Sequence, residues 1–132
     1  MTPEVFQPTS RGEAAAAYGD GRDVTVVGGG TILVPEINAG RLSPTRALLL
    51  SRSGLDTLVV DDGTIRVGAT CPLTALDRAP EPLRSAAREV ADQEIRGQAT
   101  LGGNLCAPPG ADAPRGDLRA PLVALAARVR SA

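Results

Sequence analysis

"VTVVGGGTILVPEINAG", Val24 to Gly40, joins a β-branched run to three consecutive glycines and then to a segment of helical character. The near-continuous Val run suits a strand buried on both faces. In the segment that follows, Thr31 stands near the start, Pro35 falls in the first turn and Gly40 supplies a stop, which predicts a helix. Strand, glycine turn and helix in that order form the first part of a β–α–β unit, and "ALLLS" supplies its second strand. Strands are therefore expected at about 23–27 and 47–51. Upstream, "TSRGEAAAAYGDG" sets Ser10 three residues before Glu13, a capping-box spacing, ahead of four alanines and the stops Gly19 and Gly21. A short helix should precede the unit.

Downstream of Leu55 the pattern changes. "LDTLVVDDGTIRVGATC" reads as two β-rich runs around "DDG", a hairpin whose turn takes up Asp61 and Asp62. "PLTALDRA" and "PLRSAAREVADQ" are helical in pattern, each with Pro at or near its first turn. In the second of these, Leu83, Ala87, Val90 and Ala91 fall on one face. The glycine- and proline-rich "EIRGQATLGGNLCAPPGADAPRGD" leads to a last helix in "LRAPLVALAA", and "RVRSA" has the pattern of a strand just beginning. The chain is expected to be α+β in two parts, 1–54 and 55–132.

Composition narrows the function. A chain of 132 residues makes one ordinary domain, and 42% hydrophobic with 22% charged residues is the balance of a soluble globular protein. With aromatics at 2%, the core must be built from Val, Leu, Ile and Ala. The 14 basic residues, all Arg, do not outnumber the 15 acidic ones, so nothing favours nucleic acid. No apolar run reaches the roughly 18 residues of a membrane span, and "MTPEVFQPTSRGE" lacks the features of a signal peptide; the expected location is the cytoplasm. Cys71 and Cys106 are far apart and too few to hold a zinc ion or an iron–sulfur cluster within this chain. Histidine is absent, which removes the commonest general base and most transition-metal sites. No catalytic residue and no metal ligand is assigned, and an enzyme of this composition draws its chemistry from a cofactor.

Two glycine-rich stretches remain to be explained. Gly28, Gly29, Gly30 and Thr31 sit at a strand-to-helix junction, where bare backbone permits positive φ and close approach. Consecutive N–H groups beside a helix N-terminus favour an anion such as a diphosphate; a plain tight turn is the alternative. The stretch fits neither a dinucleotide fingerprint, which needs Gly or Ala where Leu33 stands, nor a P-loop, which needs a Lys. The second stretch, "ATLGGNL" from Ala99 to Leu105, is expected to expose the N–H groups of Gly102 and Gly103. Thr100 and Asn104 add short polar side chains able to bond phosphate oxygens, or else to satisfy the local backbone. Taken together the two suggest nests closing on one diphosphate.

The stretches "VGGGTILVP", "IRVGATCPLTAL" and "EIRGQATLGGNL" resemble the successive motifs of the FAD-binding domain of molybdenum hydroxylases, the flavin subunit or domain of carbon monoxide dehydrogenase, xanthine dehydrogenase and related enzymes. The resemblance runs from about Val24 to Val129. It implies a two-lobed PCMH-type FAD-binding fold: a small N-terminal βαβ lobe with the first diphosphate loop (1–54), then the first part of a larger α/β lobe with the TLGG loop (55–132), incomplete at its C-terminus. By position, Val27 to Thr31 would line one side of FAD. Backbone amides of Gly29 and Gly30 and the hydroxyl of Thr31 would meet the phosphates, with Leu33 packing nearby. Thr100, Gly102, Gly103 and Asn104 would line the other side. Asp117-Leu118 resembles the family's Asp-Leu pair, whose Asp bonds ribose hydroxyls; Asp112 is the alternative, and a helix N-cap would equally account for Asp117. Ile32 and Gly97 depart from the family, which commonly has an acid and an Asn there. Arg96 would approach the phosphates or pair with Glu94, and Cys106 reads as a buried small hydrophobe.

The implied function is that of an FAD-binding subunit or fragment of a molybdenum-hydroxylase-like oxidoreductase, passing electrons between iron–sulfur and molybdenum partners and NAD or another acceptor. Its partners would be a molybdopterin-binding large subunit and an iron–sulfur small subunit, or a second chain completing the fold. The alternatives are an assembly half-domain that binds no FAD alone and a free-standing biosynthetic flavoprotein. On this reading Gly29→Val or Gly103→Val should lower FAD affinity with little loss of fold.

Overall fold

The computed structural model describes residues 2–108 and 115–131. Three parallel strands, β1 (Glu4–Phe6), β2 (Val24–Val27) and β3 (Arg46–Leu49), pair in the order β1-β3-β2. Parallel neighbours need crossovers. Helix α1 (Arg11–Tyr18) leads from β1 to β2, and α2 (Leu33–Asn38) leads from β2 to β3. The unit is thus βαβαβ, one strand larger than the βαβ expected. "EVF" is too short to show a period, and its pairing of Glu4 with Arg46 and Phe6 with Leu48 is what makes it a strand. Being central, β3 carries the buried residues Ala47 and Leu48.

Local chemistry explains the element ends. Ser10 Oγ accepts the Glu13 N–H at 3.1 Å, and the Glu13 carboxylate reaches back to the N–H and hydroxyl of Thr9 at 2.8 and 3.0 Å. The cap is reciprocal, but displaced by one residue from the usual box. Gly19 and Gly40, at φ +58° and +73°, let the chain turn out of α1 and α2. Strands β4 (Leu58–Asp61) and β5 (Thr64–Val67) form the expected antiparallel hairpin. Its turn is Asp62-Gly63, both at positive φ, while Asp61 closes β4 opposite Thr64.

The remaining chain builds the main core from short helices. "LTALDR" (Leu73–Arg78) is a 3-10 helix rather than an α-helix, followed by α3 (Leu83–Arg88), α4 (Gln93–Gln98), α5 (Leu101–Leu105) and α6 (Arg119–Ala124). Leu73, Leu76, Leu83, Ala87, Leu101 and Leu118 pack together, with Leu76 and Leu118 fully buried. Leucines fill the space that aromatics fill elsewhere, each burial contributing roughly 1.5–3 kcal/mol. The expected apolar face of α3 is shortened, because the helix ends at Arg88 and Ala91, at φ +45°, is exposed. Arg96 Nη1 donates to the carbonyls of Val90 and Ala91 at 2.9 and 3.2 Å. Its guanidinium therefore closes the end of α3 instead of meeting Glu94. Residues 128–131 join no strand among the described residues, and no helix among them is long and apolar enough to cross a membrane.

Candidate functional site

The first glycine stretch is held at both ends. The carbonyl of Val27 accepts the Leu50 N–H at 3.0 Å, which pins the end of β2 to the end of β3. Gly30, at φ +75°, redirects the chain, and its carbonyl accepts the Val34 N–H at 3.0 Å to start α2. Between these anchors, none of the described backbone hydrogen bonds uses the N–H of Gly29, Gly30 or Thr31. Successive uncommitted amides before a helix form a nest for an anion. Leu33, the first residue of α2, is half-buried beside them.

The second stretch is not a loop. Thr100 is the N-cap of α5, and its Oγ1 accepts the Gly103 N–H at 3.1 Å. Leu101 N–H donates to Cys71 O at 3.0 Å and Gly102 N–H to Ala69 O at 2.8 Å. A helix start leaves orphan amides; here segment 69–71 and the Thr100 side chain take them up. The expectation of bare N–H groups at Gly102 and Gly103 is corrected accordingly. Among the described residues this side retains the Thr100 O–H as a donor, and the Asn104 carboxamide, whose Oδ1 accepts the Leu118 N–H at 3.1 Å, retains its NH2.

The two stretches, 70 residues apart in sequence, touch. A Cβ on Gly28 would lie 2.5 Å from Thr100 Oγ1, and one on Gly29 would run into the carbonyl of Gln98. Gly28 is small because the Thr100 side chain packs against it, and Gly29 because the backbone at 98–99 does, a role that sequence reasoning missed. Gly29→Val consequently strikes the fold, not only a ligand, which corrects the expectation of little loss. At Gly103 a Cβ would meet the capping oxygen of Thr100 at 2.9 Å.

Asp117 is exposed and precedes Leu118, the cap residue of α6, so the N-cap role is not its own. Asp112 lies outside the described residues. Cys106, the cap residue after α5, is exposed rather than buried; the buried thiol is Cys71, whose pKa is pushed up by burial. On α2, Glu36 takes two hydrogen bonds from Arg41, at 2.8 and 3.1 Å, and a third contact from Arg115 at 3.4 Å. The Arg41 guanidinium, before all else, holds the Glu36 carboxyl below the ordinary range. No sequence signal links Glu36 to Arg115. A cavity of about 260 Å³ among Leu73, Thr74, Asp77, Arg88, Gln93 and Arg96 is lined by no residue of either glycine stretch.

The test for a bound nucleotide is whether these groups suit it. The first stretch fits a diphosphate through its uncommitted amides, and the second fits through side chains alone. Comparison with known proteins identifies the family. The family described as the FAD binding domain in molybdopterin dehydrogenase matches residues 1–132. A nicotinate dehydrogenase FAD-subunit from Eubacterium barkeri is 32% identical over 111 residues, covering 77% of this chain and 38% of that protein. Among solved structures, carbon monoxide dehydrogenase from Hydrogenophaga pseudoflava, in a form lacking the Mo-pyranopterin moiety, superposes with a TM-score of 0.70 at 29% identity, over 80% of this chain and 40% of that one. Quinoline 2-oxidoreductase from Pseudomonas putida 86 shares the fold with a TM-score of 0.71 at 24% identity, over 86% of this chain and 42% of that one. The chain spans about two fifths of the length of these proteins.

Proposed function

This chain belongs to the family of FAD binding domains in molybdopterin dehydrogenase, and on that premise we propose that it holds FAD between the first glycine stretch and the start of α5 as the flavin-carrying part of a molybdenum-hydroxylase-like oxidoreductase. The observation that carries the site is the run of amides at Gly29, Gly30 and Thr31, uncommitted among the described residues. They would take the diphosphate, helped by the Thr31 hydroxyl, with Gly28 packed behind them on Thr100 and Val27 and Leu33 as the apolar flanks. Thr100 and Asn104 would donate from the opposite side, where Gly102 and Gly103 serve to let α5 start against segment 69–71. Asp117 would bond ribose hydroxyls. FAD, when bound, supplies the electron-transfer chemistry through its isoalloxazine ring. The chain's own residues bind and orient it, and none acts as a catalytic acid or base.

Residues 1–54 and 55–132 form the two lobes on this reading, with the cofactor lying across them. The complete enzyme would pair the flavin part with a molybdopterin-binding large subunit and an iron–sulfur small subunit, and pass electrons to NAD or another acceptor in the cytoplasm. One observation favours a second reading, an assembly half that takes FAD only with further chain: the first-turn amides of α5 are already committed. A visible spectrum of the purified chain before and after adding FAD, with the released nucleotide identified, decides between them. Flavin bands that stay with the protein and release FAD are expected. A colourless chain that cannot be loaded would transfer the conclusion to the second reading.

A further inference from the structure

We propose that Arg115 is a positioning residue for the nucleotide, acting through Asp117; the inference deepens the FAD reading above and rests on it. Arg115 Nη2 lies 3.4 Å from Glu36 Oε1, across 79 residues of sequence. Both side chains are half-buried, at 27% and 24% exposure. Glu36 has no local need of this partner, since Arg41 already grips both of its oxygens from five residues away. What Arg115 adds is a link between α2, which begins at the first glycine stretch, and the segment leading into α6. Three residues on, the Leu118 N–H is fixed to Asn104 of α5. Asp117 is therefore suspended between two anchors, one on each of the elements that would embrace the cofactor. With one carboxylate shared by two guanidiniums, the cluster also keeps a net positive charge, which suits a dianionic diphosphate.

The test is FAD titration of the full chain by flavin fluorescence, with thermal unfolding of each FAD-free variant alongside. Arg115→Met keeps the aliphatic stem and removes the charge. It should weaken FAD binding by about fivefold, the upper end for an ion pair at this exposure, with any fall in FAD-free stability smaller than that loss. Arg115→Lys should recover most of the loss. In an Asp117→Asn background the same Arg115→Met change should cost clearly less, because the residue through which it acts is already altered. An equal loss in both backgrounds, an unchanged affinity, or a loss matched by an earlier FAD-free unfolding would each overturn the proposal while leaving FAD binding intact. A wild-type chain that takes up no FAD would overturn the underlying reading as well.

Discussion

Among single residues, glycine has different reasons in different places. Gly29 is small because the Gln98 carbonyl stands where a Cβ would be. Gly29→Ala should therefore cost about 1–3 kcal/mol of stability through overpacking, measured by urea unfolding of the FAD-free chain. Gly97, in α4, has nothing within 4 Å of the place a methyl group would occupy. Gly97→Ala should add roughly 0.5–1 kcal/mol, because it removes helix-opposing backbone freedom without a clash. Shifts of the same sign in both variants would contradict this account. Three carboxyls respond to pH in one direction. Glu13 is lowered by the Thr9 backbone N–H, Glu36 by Arg41 and Glu81 by the Ser85 hydroxyl. A folded-state pKa below the unfolded one gives stability that is present above the ordinary carboxylate range and disappears as pH falls through the lowered values. Urea midpoints should thus be flat from neutral pH down to that range and drop below it.

Among the elements, the hairpin shows how a turn is encoded. Asp62 and Gly63 both take positive φ, at +44° and +78°, and join β4 to β5 in register. Two left-handed residues match the twist of the paired strands. Gly63→Ala should cost about 1–2 kcal/mol, since a Cβ penalises that conformation, while Asp62→Asn should leave the unfolding midpoint nearly unchanged. An unaffected Gly63→Ala variant would mean that the turn is not held as described. The start of α5 makes the contrasting point. "TLGG" has the composition of a loop, yet Thr100 caps it and segment 69–71 receives the Leu101 and Gly102 amides, so it is helical from Leu101 onward. Tertiary partners overrode the low helix propensity of two adjacent glycines.

Across the molecule as a whole, the parallel sheet and the short-helix core meet at Gly28, which packs on the Thr100 side chain, at Gly29 against the Gln98 carbonyl, and through the ion pair of Glu36 with Arg115. A cofactor bridging the two parts should stabilise both together. With FAD at about a hundred times its Kd, the chain should gain about 2.7 kcal/mol and unfold in a single transition at a higher midpoint, followed by circular dichroism. An FAD-induced shift confined to one of two separated transitions would argue for a site within one part alone.

Features whose cause lies within a few residues were legible in the chain alone. Val24–Val27 as a strand, the Ser10 cap, the Asp62-Gly63 turn and the glycine-rich junction before α2 belong here, because β-branching, capping oxygens and positive φ act over one or two turns of chain. The family was legible from three motifs at their spacing. It took the folded arrangement to establish that "EVF" is a strand, that Arg96 closes α3, that Cys106 is exposed, and that the amides of Gly102 and Gly103 are spent while those of Gly29 to Thr31 have no backbone partner among the described residues. Each of these depends on which backbone or side-chain partner arrives from elsewhere in the chain. A hydrogen bond between residues tens of positions apart has no local signature, since it is set by packing rather than by the composition on either side.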